Sequence, residues 1–585
     1  MLLRFRLTIP LPVQIIENRK IYDVCIIGSG AGGGMAAKVL TEGGAEVMML
    51  EAGPMWDPVK DAYMFKWPYD SPRRGAPTAK QEFGEFDACF GGFSIEGEPY
   101  TRGAGTTFEW FRGRMLGGRT NHWGRIALRY GPDDFRRKSL DGLGDDWPIT
   151  YDELKPYYDE VDRFIGIFGS NEGLPNEPDG IFMPPPQPRC YERLVKKAAD
   201  GLNITCVPSR MSILTKPLNG RIACHYCGQC NRGCSTHSNF SSPSVLLPPA
   251  LATKRLRIQA DAMAREITIG EDGLATGVSY IDKKTGRENH VRAKVVVLAA
   301  SACESARILL NSRSAKFPHG VGNSSGNVGK YLTDSTGVGL VGFIPKMMQM
   351  PPHNEDGVGG MHLYMPWWLD NKKLPFPRGY HIEVGGGRRM PQFGFMGNIH
   401  LYAGVQGSGT PPAGIGWGKQ LKDDYRRFYG STVGFAGRGE MIPNEKSYCE
   451  IDPSVVDRFG IPVLRFHFRW TDYEVLQAKH MQDTFRAIIQ EMGGQPMSAM
   501  PSADDGYGLL AGGRVIHEIG VTRMGKDAQT SVVNANCQAH DVKNVFVADG
   551  GPFVSQPDKN PTWTILALAW RTNDYILAER KAGKI

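Results

Sequence analysis

Three groups of residues have types and spacings that could carry redox chemistry. The first is a pair near the end of the chain: His517, which opens HEIGVTRMG, and Asn560, which precedes Pro561 and Thr562 in NPTWTILALA. A histidine near neutral pKa can take an alcohol's hydroxyl proton while hydride leaves the same carbon, and a neighbouring amide can orient that hydroxyl. The plainer roles are a hydrogen-bonded structural histidine and a helix N-cap, with Pro561 at the first helical position. A helix starting there points its positive end outward and would stabilise an anion.

The second group is Cys224, Cys227, Cys230 and Cys234, spaced C-x2-C-x2-C-x3-C. This spacing lets consecutive thiolates curl around one iron–sulfur cluster, and four thiolates permit a four-iron cluster. A zinc site normally separates two C-x2-C knuckles by a long loop, and structural disulfides are disfavoured so close in sequence. Buried spectator thiols are the remaining alternative. Ser235 stands where the ferredoxin run has proline, so ferredoxin itself is not implied.

The third group is Gly28, Gly30 and Gly33, followed eighteen residues later by Glu51. The first glycine makes a tight turn, the second lets backbone N–H groups approach a pyrophosphate, and the third allows close helix–strand packing. Glu51 sits where a carboxylate binds a ribose hydroxyl. A second GxGxxG at Gly337, Gly339 and Gly342 lacks both helix and acid and reads as a glycine-rich strand.

These groups need elements to hold them. IYDVCII (21–27) reads as a buried parallel strand, GMAAKVLTEGG as a helix, and EVMML as a second strand ending at Glu51. KVVVLAAS (294–301), the helical CESARILLNS, and NVFVADGG (544–551) with Asp549 and Gly550 return to the same sheet much later. One nucleotide lobe is thus assembled from the beginning, middle and end of the chain. The 585 residues exceed what one core supports, so two or three lobes are expected.

The composition is that of an ordinary globular protein, at 41% hydrophobic and 22% charged, and the net charge of +7 is small for this length. No Lys/Arg run of five occurs, which argues against nucleic acid. No apolar run reaches membrane-spanning length, and Arg4, Arg6, Pro10 and Pro12 break up any secretory core. The chain therefore shows no export address of its own, and residence in the cytoplasm is expected only if no partner exports it.

The segments GSGAGG…EAG, RMLGGRTNHWG, VVVLAASACESARILLNS, NSSGNVGKYLTD, HEIGVTRMG and NVFVADGGPF…NPTWTILALAWR, in this order, resemble the glucose–methanol–choline flavoprotein family over nearly the whole chain. The resemblance implies FAD, an α/β doubly wound nucleotide domain, and a substrate domain built on an antiparallel sheet. It implies a catalytic pair facing the flavin at His517 and Asn560. It also places Gly117, Gly118 and Asn121 along the cofactor, with His122 where some members attach FAD covalently. The cysteine run resembles the family's iron–sulfur dehydrogenase branch, which includes gluconate, fructose and glucose dehydrogenase subunits, and PPPQPRCYE and LTKPLNGRIACHYCGQC resemble bacterial glucoside 3-dehydrogenases. That branch implies a three-iron cluster with one thiolate to spare, assigned to Cys227, a small partner subunit that bears the export signal to the periplasm, and a c-type cytochrome. No C-x-x-C-H occurs here, so any haem must come from another polypeptide.

The resulting expectation is a flavin lobe from 1–215, 246–330 and 511–585, a cysteine-rich segment at 216–245, and a substrate domain at 331–510. The activity expected is oxidation of a sugar or glycoside ring hydroxyl to a ketone, at carbon 3 by resemblance, with electrons leaving through the cluster. An oxidase returning electrons to oxygen is the nearest rival, and a flavin subunit with no substrate of its own is another. Within 331–510, Trp367 and Trp368 could stack on a sugar ring or could be core.

Overall fold

The computed structural model describes residues 16–62, 70, 88–350, 357–366, 374–387 and 418–585. Trp367 and Trp368 lie outside the described residues. A seven-stranded sheet organises the nucleotide lobe. Strand Ile16–Ile27 pairs in parallel with Val47–Leu50 on one side and with Glu288–Leu298 on the other, and Val545–Val547 joins the far edge in parallel at Val296–Leu298. Val24, Ile26, Val47, Met49, Val295 and Val297 are all buried, as expected of a sheet covered on both faces. Helix Ala31–Glu42 begins directly after Gly30, and helix Thr562–Lys581 packs beside it.

Close packing explains the glycines around the first turn. A Cβ on Gly28 would meet the Ala299 carbonyl oxygen at 2.3 Å, and one on Gly33 would meet the Gly28 carbonyl at 2.0 Å. Gly32 carries the same constraint without belonging to the motif, since its Cβ would reach the Ala548 carbonyl at 1.7 Å. Gly30 differs. A Cβ there meets nothing within 4 Å, so this glycine faces open space.

A second, six-stranded sheet is antiparallel throughout its pairings. Its central strands are Thr336–Phe343, Thr432–Gly439 and Tyr380–Gly386. The second GxGxxG lies in the first of these, as a strand. Side chains alternate across the sheet: Val338, Leu340, Ile382, Val384, Val433 and Phe435 form one buried face with Ala478, Met481 and Phe485 of helix Asp472–Glu491. Thr471 and Glu474 start that helix with a capping box, the Thr471 N–H donating to Glu474 Oε2 at 2.7 Å. The opposite face carries rows set by register. Gly337, Arg438 and His381 stand side by side, then Gly339, Ala436 and Glu383, then Val341, Gly434 and Gly385. This face is turned toward His517 and Asn560. Among the described residues no helix is long and apolar enough to cross a membrane.

Candidate active site

A cavity of about 410 Å³ runs from the glycine turn to the catalytic pair. Gly28, Gly30, Glu51, Gly118, His122, Asp549, Gly550, Pro561 and Thr562 line it, with His517 and Asn560 at one end. Gly33, Gly117 and Asn121 are not on its surface. Gly33 packs under the turn, as above. The Gly117 N–H donates to Ser29 Oγ at 2.8 Å, and Asn121 Nδ2 donates to the carbonyls of Leu116 and Gly118, so both hold the loop from behind.

The dinucleotide end fits FAD. Glu51 Oε2 accepts from Ser29 Oγ at 2.5 Å and Oε1 from the Gly53 N–H at 2.8 Å, which fixes the carboxylate on the cavity wall. Burial raises its pKa, so a ribose hydroxyl donating to it would relieve a desolvated acceptor. Burial likewise pushes Asp549 up to about 6, against hydrogen bonds from Ser305 and the Gly551 N–H. The open space beside Gly30, at the N-terminus of helix Ala31–Glu42, suits a pyrophosphate. His122 stands on the wall, edge-on to Phe111 at 5.3 Å.

The catalytic end is built from four separate stretches of the chain. The His517 N–H donates to Asp334 Oδ1 at 2.9 Å, while Asp334 also accepts from the N–H groups of Gly513 and Ser335. Ile516, just before His517, has φ of 65°, a left-handed conformation that costs a β-branched residue strain and re-aims the chain at this point. His517 Nδ1 lies 2.9 Å from Ser335 Oγ, which also accepts from Gln556 Nε2 at 3.0 Å. Asn560 Nδ2 donates to His517 Nε2 at 3.3 Å and to Glu383 Oε1 at 3.4 Å. This network assigns the imidazole proton to Nδ1, so that the Nε2 lone pair faces the Asn560 amide at the cavity end, where a substrate hydroxyl could take its place. Enclosure in the protein, then the Arg438 charge, push the His517 pKa down to about 3, with Glu383 opposing. The ring is therefore neutral and able to accept a proton.

Asn560 is not the helix cap expected from sequence. The terminal helix begins at Thr562, Pro561 takes the N-cap position, and no side chain caps it. The Asn560 amide turns away from the helix toward His517 and Glu383, and its Oδ1 is buried with no hydrogen-bond partner. Pro561 has no N–H and so needs no acceptor there, and the Asn560 amide is turned to the site instead.

Sequence reasoning missed the supporting charges. Glu383, His381 and Arg438 come from the second sheet, where nothing but strand alternation was legible. Arg438 Nη2 lies 3.4 Å from Glu383 Oε2, and His381 Nε2 lies 3.4 Å from Glu383 Oε1. Burial disfavours a charged His381, but Asp558 and Glu383 outweigh it and raise the pKa to about 9. Although burial opposes it, Arg438 and His381 hold Glu383 down at about 2. Behind them Lys559 Nζ pairs with Asp558 at 2.9 Å and Asp134 at 3.1 Å, fully enclosed. A buried ion set of this kind survives because every member has an opposite charge.

The four cysteines are gathered on one loop. Cys230 and Cys234 are buried, while Cys224 and Cys227 are partly exposed. Burial and the three neighbouring thiols push Cys224 up to about 12, against a hydrogen bond from the Tyr226 N–H. Among the described residues no three His, Cys, Asp or Glu side chains form a group that could hold one metal ion. The structure therefore does not bring the four thiols together as the donor set expected from the C-x2-C-x2-C-x3-C spacing, although all four stand on one loop. Asn231, joined to Cys230 by one peptide bond, lines the cavity wall.

A doubly wound nucleotide lobe whose cavity ends at a neutral histidine and an amide defines a flavin-dependent oxidoreductase acting on CH–OH groups. The chain belongs to the GMC oxidoreductase family, matching its N-terminal domain over residues 30–336 and its C-terminal domain over 443–569. It is 30% identical to 2-methyl-1,2-propanediol dehydrogenase of Mycolicibacterium austroafricanum over 95% of each chain. It is 26% identical to the fructose dehydrogenase large subunit of Gluconobacter japonicus, over 96% of this chain and 98% of that one. The crystal structure of pyridoxine 4-oxidase from Mesorbium loti shares the fold, with a TM-score of 0.60 at 17% identity over 94% of this chain and 98% of that one. The mixed α/β fold and the family expected from the sequence are those observed.

Proposed function

We propose that this chain is the catalytic subunit of an FAD-dependent dehydrogenase that oxidises a ring hydroxyl of a sugar or glycoside to a ketone, with carbon 3 as the position. The observation that carries this reading is His517 Nε2, unprotonated at the end of the cavity beside the Asn560 amide. A substrate hydroxyl entering between them would donate its proton to Nε2, and the alkoxide character so gained favours departure of hydride from the same carbon, while Asn560 Nδ2 donates to the oxygen and holds it in place. Bound FAD supplies the hydride acceptor. Ser335 and Asp334 hold the imidazole in register, and the buried charges behind Asn560 hold the amide.

Cys224, Cys230 and Cys234, or these with Cys227, are the residues that would hold an iron–sulfur cluster, and such a cluster would supply an electron exit to a cytochrome or another acceptor. Support comes from the four thiols on one loop and from Asn231, which ties that loop to the cavity wall. The relative from Gluconobacter japonicus is named as a large subunit, in keeping with a smaller partner here; that this partner carries the pair to the periplasm is part of the proposal.

The test is an anaerobic panel of sugars and glycosides read by flavin bleaching, with the oxidised position identified in the product. Bleaching by none of them would overturn the substrate class. Hydrogen peroxide formed mole for mole with product in air would replace the dehydrogenase reading with an oxidase.

A further inference from the structure

Among the described residues, the outer face of the second sheet carries few side chains beside the catalytic pair. Gly339, Ala436, Gly434 and Gly385 occupy adjacent positions on three strands, all on the face opposite the buried core. A Cβ added to Gly339 would meet only the Phe435 carbonyl at 3.4 Å, and one added to Gly434 would find its nearest neighbour at 3.6 Å. Strands of a half-buried sheet normally carry side chains on both faces, and glycine weakens them. A run of glycine here leaves a flat floor of backbone.

That floor ends in two charged side chains. Glu383 and Arg438 keep 16% and 21% of their side-chain surface accessible, although the rest of each is enclosed. Glu383 is tied to the reaction centre through Asn560 Nδ2 at 3.4 Å, and Arg438 stands 3.4 Å from Glu383. Among the described residues Arg438 Nη1 donates to the Gly437 carbonyl and Nη2 faces Glu383 Oε2, which leaves further N–H groups of the five-donor fork for a ligand. Side by side they offer a strong acceptor and a strong donor one residue beyond the amide that orients the reacting hydroxyl. A single hydroxyl group can donate to one and accept from the other.

The geometry points to Glu383 and Arg438 as the specificity-determining pair that reads a second hydroxyl, on the carbon next to the one oxidised, so that the substrate is a vicinal diol lying on the glycine floor. This rests on the reading of His517 as base for an alcohol. It goes further, because it assigns a chemical requirement to two residues. The pair is balanced in charge, with His381 and Asp558 behind it, which favours a neutral polyol over an amine or an acid.

The experiment compares matched substrates on the flavin-loaded enzyme under anaerobic conditions. Cyclic vicinal diols and sugars are set against analogues lacking the neighbouring hydroxyl, with kcat/KM read from flavin reduction. For the unaltered enzyme the diol should exceed its mono-ol by about 100-fold or more, the range for a site whose polar groups are left unpaired by the poorer substrate. Glu383→Gln and Arg438→Met should each bring that ratio to within about tenfold. If the two residues only positioned Asn560, both rates would fall together and the ratio would stand, which overturns the inference. A ratio near one in the unaltered enzyme overturns it as well. Bleaching by no alcohol at all would instead sink the underlying function. Bound-flavin absorbance and thermal melting confirm that each variant is folded, and Arg438→Lys, which keeps charge without the fork, should show an intermediate ratio.

Discussion

His517 Nε2 stands 3.3 Å from Asn560 Nδ2, although 43 residues separate the two in sequence. One arrives on a strained turn held by Asp334, the other at the mouth of the terminal helix. His517→Ala should lower kcat by about 10²- to 10⁴-fold, the usual contribution of a positioned general base. Asn560→Ala should lower it less, because the base remains. Flavin content should match the unaltered protein in both, and single-turnover flavin reduction measures the loss.

Neutrality of His517 gives a pH prediction. Enclosure and the Arg438 charge hold its pKa at about 3, with Glu383, His381 and Arg119 the other charged groups acting on it. A base must be unprotonated, so kcat/KM should stay level as the pH falls from 8 to 5, without a limb near the usual histidine value of 6.5. Arg438→Met removes a charge that disfavours imidazolium and leaves Glu383, which favours it. The variant's base pKa therefore rises, and an acid limb should move upward toward neutral pH. A profile that stays in place would show that Arg438 does not act on the ring.

The glycine turn separates folding from binding. Gly33→Ala would put a Cβ 2.0 Å from the Gly28 carbonyl, backbone that cannot move aside, and should destabilise the apoprotein by about 1–3 kcal/mol. Gly30→Ala meets nothing within 4 Å. It should melt like the unaltered apoprotein yet retain little flavin, because the new methyl group occupies the space a pyrophosphate needs. Apoprotein melting and flavin content after gel filtration distinguish the two.

Local chemistry explains what was legible in the sequence. The parallel strands announced themselves as apolar runs, and Gly28, Gly30 and Glu51 could be placed because turn, helix and acid follow one another within one unit. His517 and Asn560 could be named through family resemblance but not brought together by pattern, since nothing local says that a strained turn and a helix start meet. The cap assignment failed by one residue: the helix begins at Thr562 with Pro561 before it, and the Asn560 amide is directed to Glu383 and His517 instead of to the helix end. Glu383, Arg438 and His381 were invisible because their roles arise from cross-strand register. YHIEVGG reads as an ordinary half-buried strand until Arg438 is seen opposite His381.

The cysteine loop yields the last prediction. Cys230 and Cys234 are each only 7% exposed, and Cys224 packs against the small core around Met211 and Tyr364 while its N–H donates to the Leu214 carbonyl at 2.8 Å. Cys227 is absent from that core and partly exposed. Cys224 shares that partial exposure and Cys234 also lies outside that core, so packing does not single out Cys227, and its place as the spare thiolate of a three-iron cluster is a proposal that the variants test. The purified protein should contain iron and acid-labile sulfide, with an oxidised-state EPR signal. Serine at position 224, 230 or 234 should abolish the signal and cut the rate of electron delivery to an external acceptor, while flavin bleaching by substrate persists. Cys227→Ser should keep both. Loss of the signal in all four variants would instead indicate a cluster using every thiolate, and protein free of iron and sulfide would show that the loop has only a packing role.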